Sequence, residues 1–298
     1  ENVTGVPARI WTSLEEEYRL ALARRDENER RREDAKLVDS DLYRAMVKLG
    51  CVEGTRDPLA KARALCKFFG TDSLSYVKDA KHVGYAFRLG DRDGASGFAL
   101  AAWLRMAELE AKEMSPDPFD ATGLQSVIEG LRSLTFELPS RWLPEARERL
   151  ASVGVALAVI PHLPKTFVNG ATFWPSPHKA VVALSLRGSW ADIFWFTLFH
   201  ELGHVLLHGK RDPHVSLRDT QEHEVEADRF AVDRLIPRRA YEEFVFKQEF
   251  STQAVEEFSK TVGIAPGVVV GRLQHDKLVP HNRLNELRER YRFEARAV

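Results

Sequence analysis

The sequence predicts an α+β fold that is mostly helical, in which a helical N-terminal region precedes a domain with a small β-sheet. Three observations predict this fold. Segments with helical periodicity cover most of residues 12–135. Three short apolar segments at residues 155–160, 171–174 and 180–186 are rich in residues that favour strands. More segments with helical periodicity follow the predicted sheet towards the end of the chain.

The order of these segments predicts three regions. Residues 1–50 include a helix over about 12–49 whose charges of both signs are typical of a solvated linker or a dimer contact. Residues 51–138 are predicted to form a helical intermediate domain with three or four helices. Residues 139–298 hold the sheet and the remaining helices.

The composition is typical of a soluble, cytoplasmic protein. The net charge is −1, so the chain has no global electrostatic attraction to nucleic acid. Two cysteines without CxxC spacing argue against a disulfide scaffold. The sequence has no apolar run long enough to cross a membrane, and we expect no membrane partner.

The segment from Ser189 to His208 contains an HExxH motif, His200-Glu201-Leu202-Gly203-His204. The segment opens with a Ser-x-x-Asp capping pattern and is apolar on nearly every face, which predicts a buried helix. Histidines four residues apart lie on one helix face, where both imidazoles can bind one zinc ion, and the glutamate can act as a general base. The alternative is a pair of core histidines that are hydrogen-bonded to the backbone.

A zinc site of this kind needs a third protein ligand, and the segment Asp219–Pro237 offers candidates. This segment begins with a capping pattern and ends at a proline, as a helix would. Glu224 and Asp228 are four residues apart and share a face, whereas Glu226 points about 200° away from Glu224. This arrangement favours Glu224 as the ligand and Asp228 as the carboxylate that orients an imidazole. Glu226 remains the rival ligand.

The other polar residues near these segments are expected to have simpler roles. His208 is predicted to interact with the last carbonyls of its helix, and His223 is predicted to be exposed in a first helical turn. Arg283, Arg288 and Arg290 are predicted to lie on a solvated helix face.

Together the two segments resemble the ImmA/IrrE family of zinc metallopeptidases, which pairs an HExxH helix with a later helix of related pattern. Here the later pattern is Glu224-Val-Glu-Ala-Asp-Arg-Phe-Ala231, followed by Leu235-Ile-Pro237. Residues Phe194–Phe199 and Ala265–Gln274 look like the subgroup that is fused to an Xre-type helix-turn-helix of the HigA kind. The resemblance covers residues from about 139 to 290.

The beginning of the chain adds to this resemblance. Val3–Trp11, followed by Leu14 and Tyr18, resembles the tail of a HigA-like DNA-binding domain. Because the first residue is Glu and not Met, we expect the recognition helix to lie in sequence that is missing from this chain, with DNA as a partner through that part. An ordinary amphipathic helix is the alternative.

The resemblance implies a minimal zincin-like metallopeptidase domain with a gluzincin-like ligand set. His200, His204 and Glu224 would bind Zn²⁺, Glu201 would be the catalytic base, and Asp228 would hold a ligand imidazole.

The expected function is a zinc-dependent endopeptidase that cleaves a repressor or antitoxin protein. Such an enzyme would control transcription in a stress, phage-defence or toxin-antitoxin setting. The alternative is a HigA-like regulator or antitoxin whose zinc fold is a sensor or partner-binding module with little or no proteolysis. Glu201 favours the enzyme, because a purely structural zinc site does not need it.

Overall fold

The computed structural model describes residue 5 and residues 7–78, 96–188, 190–208 and 221–292. Over these residues it contains twelve α-helices and one three-stranded sheet, which confirms the predicted α+β, mostly helical fold. The chain divides into two compact units, residues 1–83 and residues 84–298. The domain boundaries predicted from the sequence, after residues 50 and 138, stay predictions.

The described residues of the first unit form four helices: α1 Ala8–Leu37, α2 Ser40–Lys48, α3 Pro58–Phe69 and α4 Ser75–Lys78. The prediction of one helix over residues 12–49 was wrong, because the chain is extended at Val38 and Asp39. The Asp39 side chain accepts hydrogen bonds from the backbone N–H groups of Asp41 and Leu42, and so begins α2 as an N-cap.

The second unit contains the remaining helices. They are α5 Gly97–Lys112, α6 Ala121–Leu131, α7 Pro139–Ala151, α8 Ala191–Gly203, α9 Gln221–Leu235, α10 Arg238–Phe246, α11 Thr252–Val262 and α12 Pro266–His275. Short 3₁₀ turns cover Arg132–Phe136 and Asn285–Leu287, and a π-helical turn, His204–His208, extends α8. The capping residues predicted for α8 and α9, Ser189 and Asp219, lie outside the described residues.

The sheet has the strand order β1-β3-β2, with β1 Val155–Ile160, β2 Gly170–Ser176 and β3 Lys179–Ser185. These strands confirm the three predicted from the sequence. The central strand β3 runs parallel to β1 and antiparallel to β2. Among the described residues β2 is therefore an edge strand, whereas β3 has both edges paired.

The core of the second unit lies between the sheet and the helices packed on it. Helices α5 and α7 pack near β1, and α8 packs beside β2 and β3. An aromatic cluster of Trp142, Phe194, Trp195 and Tyr291 joins α7 and α8 to the C-terminal segment. No helix in the described parts of the chain combines the length and the apolar character needed to span a bilayer.

Candidate metal centre

Helix α8 carries the HExxH motif into the core. Leu198, Phe199 and Leu202 are fully buried, and Glu201 and His204 are each only 6% exposed. The predicted burial of this helix is therefore confirmed. Burial of a carboxylate and an imidazole is costly unless other groups pair with them, so their neighbours decide what this part of the molecule can do.

A glycine within the motif lets α9 approach α8 closely. A Cβ atom on Gly203 would lie 3.1 Å from the ring of Phe230 and 3.3 Å from the Cα of Ala227. Ala227 is itself fully buried at this crossing. The small residues on both helices place the polar face of α9, with Glu224 and Asp228, beside the two motif histidines.

Three side chains converge where a metal ligand set was expected. The Nε2 atoms of His200 and His204 lie 3.0 Å apart. The Glu224 carboxylate oxygens lie 3.4 Å from His200 Nε2 and 3.8 Å from His204 Nε2. Neighbouring ligand atoms around tetrahedral zinc are about 3.3 Å apart, given Zn–N and Zn–O bonds of about 2.0–2.1 Å. The donor set and its spacing therefore fit a metal ion of this size.

Asp228 contacts the other ring nitrogen of His200. Its Oδ1 atom lies 2.8 Å from His200 Nδ1. A carboxylate accepts but does not donate, so Nδ1 carries the hydrogen and the Nε2 lone pair of the neutral ring is free for a metal. Burial by itself lowers the pKa of His200. The hydrogen bonds to Asp228 and Glu224, together with the charge of Glu201, have a larger effect and raise the pKa to about 10.

Glu201 lies beside the ligand set and contacts the edge strand. The Thr172 hydroxyl donates to Glu201 Oε2 over 2.7 Å. Burial raises the pKa of Glu201, opposed by the two motif histidines and by the hydrogen bond from Thr172. Gly170 in the same strand leaves room for the other oxygen, because a Cβ atom there would lie 2.8 Å from Oε1.

The rival ligand Glu226 has a different partner. Its Oε2 atom lies 3.0 Å from Nε2 of His208. The expectation that His208 interacts with helix-end carbonyls was wrong, since its ring contacts His204, Glu226 and His223. The expectation of an exposed His223 was also wrong, because its half-buried ring stacks on His208. In the part of the chain that the structure describes, the metal-compatible group is His200, His204 and Glu224.

A cavity of about 780 Å³ adjoins this group. Its lining includes the apolar side chains of Ile193, Phe196 and Val232 together with His200 and Glu201. The cavity also contains an ion pair between Asp192 and Arg288, at 2.8 Å. The prediction that Arg288 lies on a solvated helix face was wrong, because its side chain is only 9% exposed and its guanidinium stacks on Trp190.

A comparison of the sequence with models of known protein families found a match. Residues 173–274 match the IrrE N-terminal-like domain, a peptidase family. The match covers about a third of the chain, from within β2 to the last turn of α12, and includes every residue of the metal-compatible group. A search of curated proteins gave no match. The IrrE-like segment therefore has a metallopeptidase-type domain, consistent with the ImmA/IrrE resemblance seen in the sequence.

Sequence reasoning missed two residues beside Glu201, Thr172 and Gly170. Both lie on the edge strand, 29 or more residues before the glutamate that they contact. One signal was present, because Thr172 is the single hydroxyl residue within the apolar run Ala171–Trp174. A polar side chain that is 3% exposed in a strand indicates a specific partner.

Proposed function

We propose that this chain is a zinc-dependent endopeptidase. The observation that carries the proposal is the convergence of His200, His204 and Glu224 beside the buried Glu201. His200 and Glu201 also line a large cavity. Two neutral imidazoles and one carboxylate are a common ligand set of catalytic zinc, which keeps a further position open for the reacting groups.

The remaining side chains have clear chemical roles in this proposal. A zinc ion held by the three ligands would supply Lewis acidity to polarise the scissile carbonyl. Glu201 accepts a proton from the attacking water at Oε1, because Thr172 occupies Oε2, and then passes the proton to the leaving amine. Asp228 holds His200 in the tautomer that presents Nε2.

The edge strand offers a place for an extended substrate. β3 lies at the centre of the sheet with both edges paired, so β2 is the strand beside α8 that has an edge open to a peptide. Because Thr172 in β2 touches Glu201, a peptide paired alongside β2 would pass close to the catalytic base. The cavity would receive side chains of that peptide on its apolar wall of Ile193, Phe196 and Val232.

We further propose that the substrate is a regulatory protein, a repressor or an antitoxin. This class rests on the resemblance to ImmA/IrrE peptidases, and within them on the subgroup fused to a HigA-type DNA-binding domain. In that proposal the enzyme acts in the cytoplasm and controls transcription in stress, phage-defence or toxin-antitoxin responses. DNA would be a partner through a helix-turn-helix of the HigA kind, and the charged surface of α1 would be a dimer contact.

In the experiment, zinc-loaded wild type and the variants Glu201→Gln and Glu222→Gln are each added to an extract of the source cells. New protein N-termini are identified by mass spectrometry, with chelator-treated and zinc-restored samples alongside. We expect one set of termini with wild type and with Glu222→Gln, the control variant, which changes an exposed carboxylate on α9. That set should be absent with Glu201→Gln and after chelation, and should return with zinc.

A cellular readout separates the enzyme from the alternative regulator. Repressor abundance and transcription from a promoter that the repressor controls are measured in cells that carry wild type or Glu201→Gln. The enzyme predicts that the variant stops repressor loss and the transcriptional response together. An unchanged repressor level with an intact transcriptional response would contradict proteolysis and would support a zinc fold that senses or binds a partner.

A further inference from the structure

His204 has contacts at both of its ring nitrogens. Its Nε2 atom faces the ligand set, 3.0 Å from His200 Nε2. Its Nδ1 atom lies 3.0 Å from Nδ1 of His208. His208 in turn places Nε2 at 3.0 Å from Oε2 of Glu226. These contacts form a continuous chain from the ligand set through His208 to a carboxylate on α9.

The carboxylate at the end of this chain sets the direction of each hydrogen bond. A carboxylate only accepts, so His208 Nε2 carries a hydrogen and donates it to Glu226. The neutral His208 ring then has a lone pair on Nδ1, which accepts a hydrogen bond from His204 Nδ1–H. This leaves the lone pair of His204 on Nε2, the atom that faces His200 and Glu224.

We propose that His208 and Glu226 form a positioning pair for His204, the counterpart of Asp228 on His200. Each motif histidine thus has a carboxylate that fixes its tautomer, directly for His200 and through one imidazole for His204. His223 stacks on the His208 ring with centroids 4.2 Å apart and holds its plane. The pair gives Glu226 a role other than that of a ligand. It rests on the metal centre proposed above.

The test uses two substitutions of similar size at position 208. In His208→Asn the amide oxygen can accept the bond from His204 Nδ1–H, whereas His208→Leu offers no acceptor. Zinc affinity is measured by competition with a chromophoric chelator, and the cobalt-substituted proteins are compared by visible absorption. We expect His208→Leu to bind zinc about 10–100-fold more weakly and to change the cobalt spectrum, and His208→Asn to stay within a few-fold of wild type.

Substitutions at Glu226 test the carboxylate end of the pair. Glu226→Gln keeps an oxygen that accepts from His208 Nε2–H and should bind zinc nearly as well as wild type. Glu226→Leu removes that acceptor and should weaken zinc binding, whereas Glu222→Leu on the same helix should not. Thermal unfolding of the metal-free proteins shows whether each variant folds.

The outcomes distinguish this pair from the metal centre on which it rests. Suppose that Asp228→Ala weakens zinc binding, whereas folded His208→Leu and Glu226→Leu both bind zinc as tightly as wild type. The proposed metal centre is then supported, and the proposed positioning pair is wrong. The same conclusion follows if His208→Leu binds more tightly than His208→Asn, since that order is expected when His208 only fills space. If wild type itself binds no zinc, both proposals fail.

Discussion

Thr172 and Glu201 are joined by a hydrogen bond between the edge strand and the motif helix. The Thr172 hydroxyl lies 2.7 Å from Glu201 Oε2 and 3.2 Å from the Glu201 backbone carbonyl oxygen. Both residues are buried, at 3% and 6% exposure. The bond therefore links the strand that would bind substrate to the carboxylate that would move a proton.

Replacement of Thr172 by valine should lower kcat and leave KM nearly unchanged. Valine keeps the shape of the side chain but cannot donate to Glu201 Oε2, so the carboxylate loses its fixed orientation. A hydrogen bond to a charged group contributes about 1.5–3 kcal/mol, which corresponds to about a 10–100-fold lower kcat. Steady-state kinetics on a peptide that contains the cleavage site measure both constants. Thr172→Ser keeps the hydroxyl and should recover most of the rate, and equal rates for valine and serine would contradict the role.

Replacement of Gly170 by alanine should reduce activity without unfolding the protein. The added Cβ atom would lie 2.6 Å from Thr197 Cγ2 and 2.8 Å from Glu201 Oε1, so the strand or the catalytic carboxylate must shift. A suitable control is Gly130→Ala, where the Cβ atom meets only the end of the Arg149 side chain. We expect at least a tenfold loss of kcat/KM for Gly170→Ala and none for the control, with circular dichroism confirming that both are folded. Wild-type activity in Gly170→Ala would rule out this steric account.

The local pattern of the sequence predicted the elements of the fold well. Helical periodicity and strand-forming runs gave the three strands and most of the helices, because these signals lie within one element. The helical-wheel argument placed Glu224 and Asp228 on one face, and both lie against His200.

Contacts between distant elements could not be predicted in this way. Thr172 is 29 residues from Glu201, and Asp192 is 96 residues from Arg288. Neither separation leaves a periodic signal in the sequence. Arg288 follows α12 in a segment rich in charged residues, where solvent exposure is the usual outcome. Only the packing of that segment against the beginning of α8 shows that its guanidinium is buried.

Zinc binding should release a proton and weaken as the pH falls. In the metal-free protein the pKa of His200 is raised from 6.5 to about 10. The ring therefore holds a proton throughout pH 6–8, and a metal must displace it. Below pH 10 the apparent affinity should fall about tenfold per pH unit for each proton released. Calorimetric titrations in buffers of different ionisation enthalpy count the protons. A pH-independent affinity with no proton release would contradict the raised pKa.

The same shift has a consequence for the stability of the metal-free protein. A raised folded-state pKa means that the folded protein binds the proton more tightly than the unfolded chain. The stabilising contribution of His200 is therefore fully present below pH 6.5 and is lost as the pH rises towards 10. We expect His200→Gln to remove this part of the pH dependence. Urea unfolding of chelator-treated wild type and variant at several pH values measures it.

The ion pair between Asp192 and Arg288 should stabilise the fold only when both partners are present. Both side chains are less than 10% exposed, and two guanidinium nitrogens contact the carboxylate at 2.8 and 3.1 Å. Removal of one partner leaves a buried charge without compensation, so Asp192→Asn or Arg288→Met should each destabilise the fold by about 3–5 kcal/mol. The double variant should lose less than the sum of the single variants, because neither charge is then left alone.

Urea unfolding of the two single variants and the double variant forms the mutant cycle for this pair. Arg141→Met, which removes a pair with Glu137 from an exposed surface, is the control and should change stability little.

Gly271 lies against the Asp192 carboxylate, since a Cβ atom there would be 2.4 Å from Oδ2. Gly271→Ala should therefore also destabilise the protein, by displacing Asp192 from Arg288. Strictly additive effects of the two single variants would show that Asp192 and Arg288 do not stabilise the fold through each other.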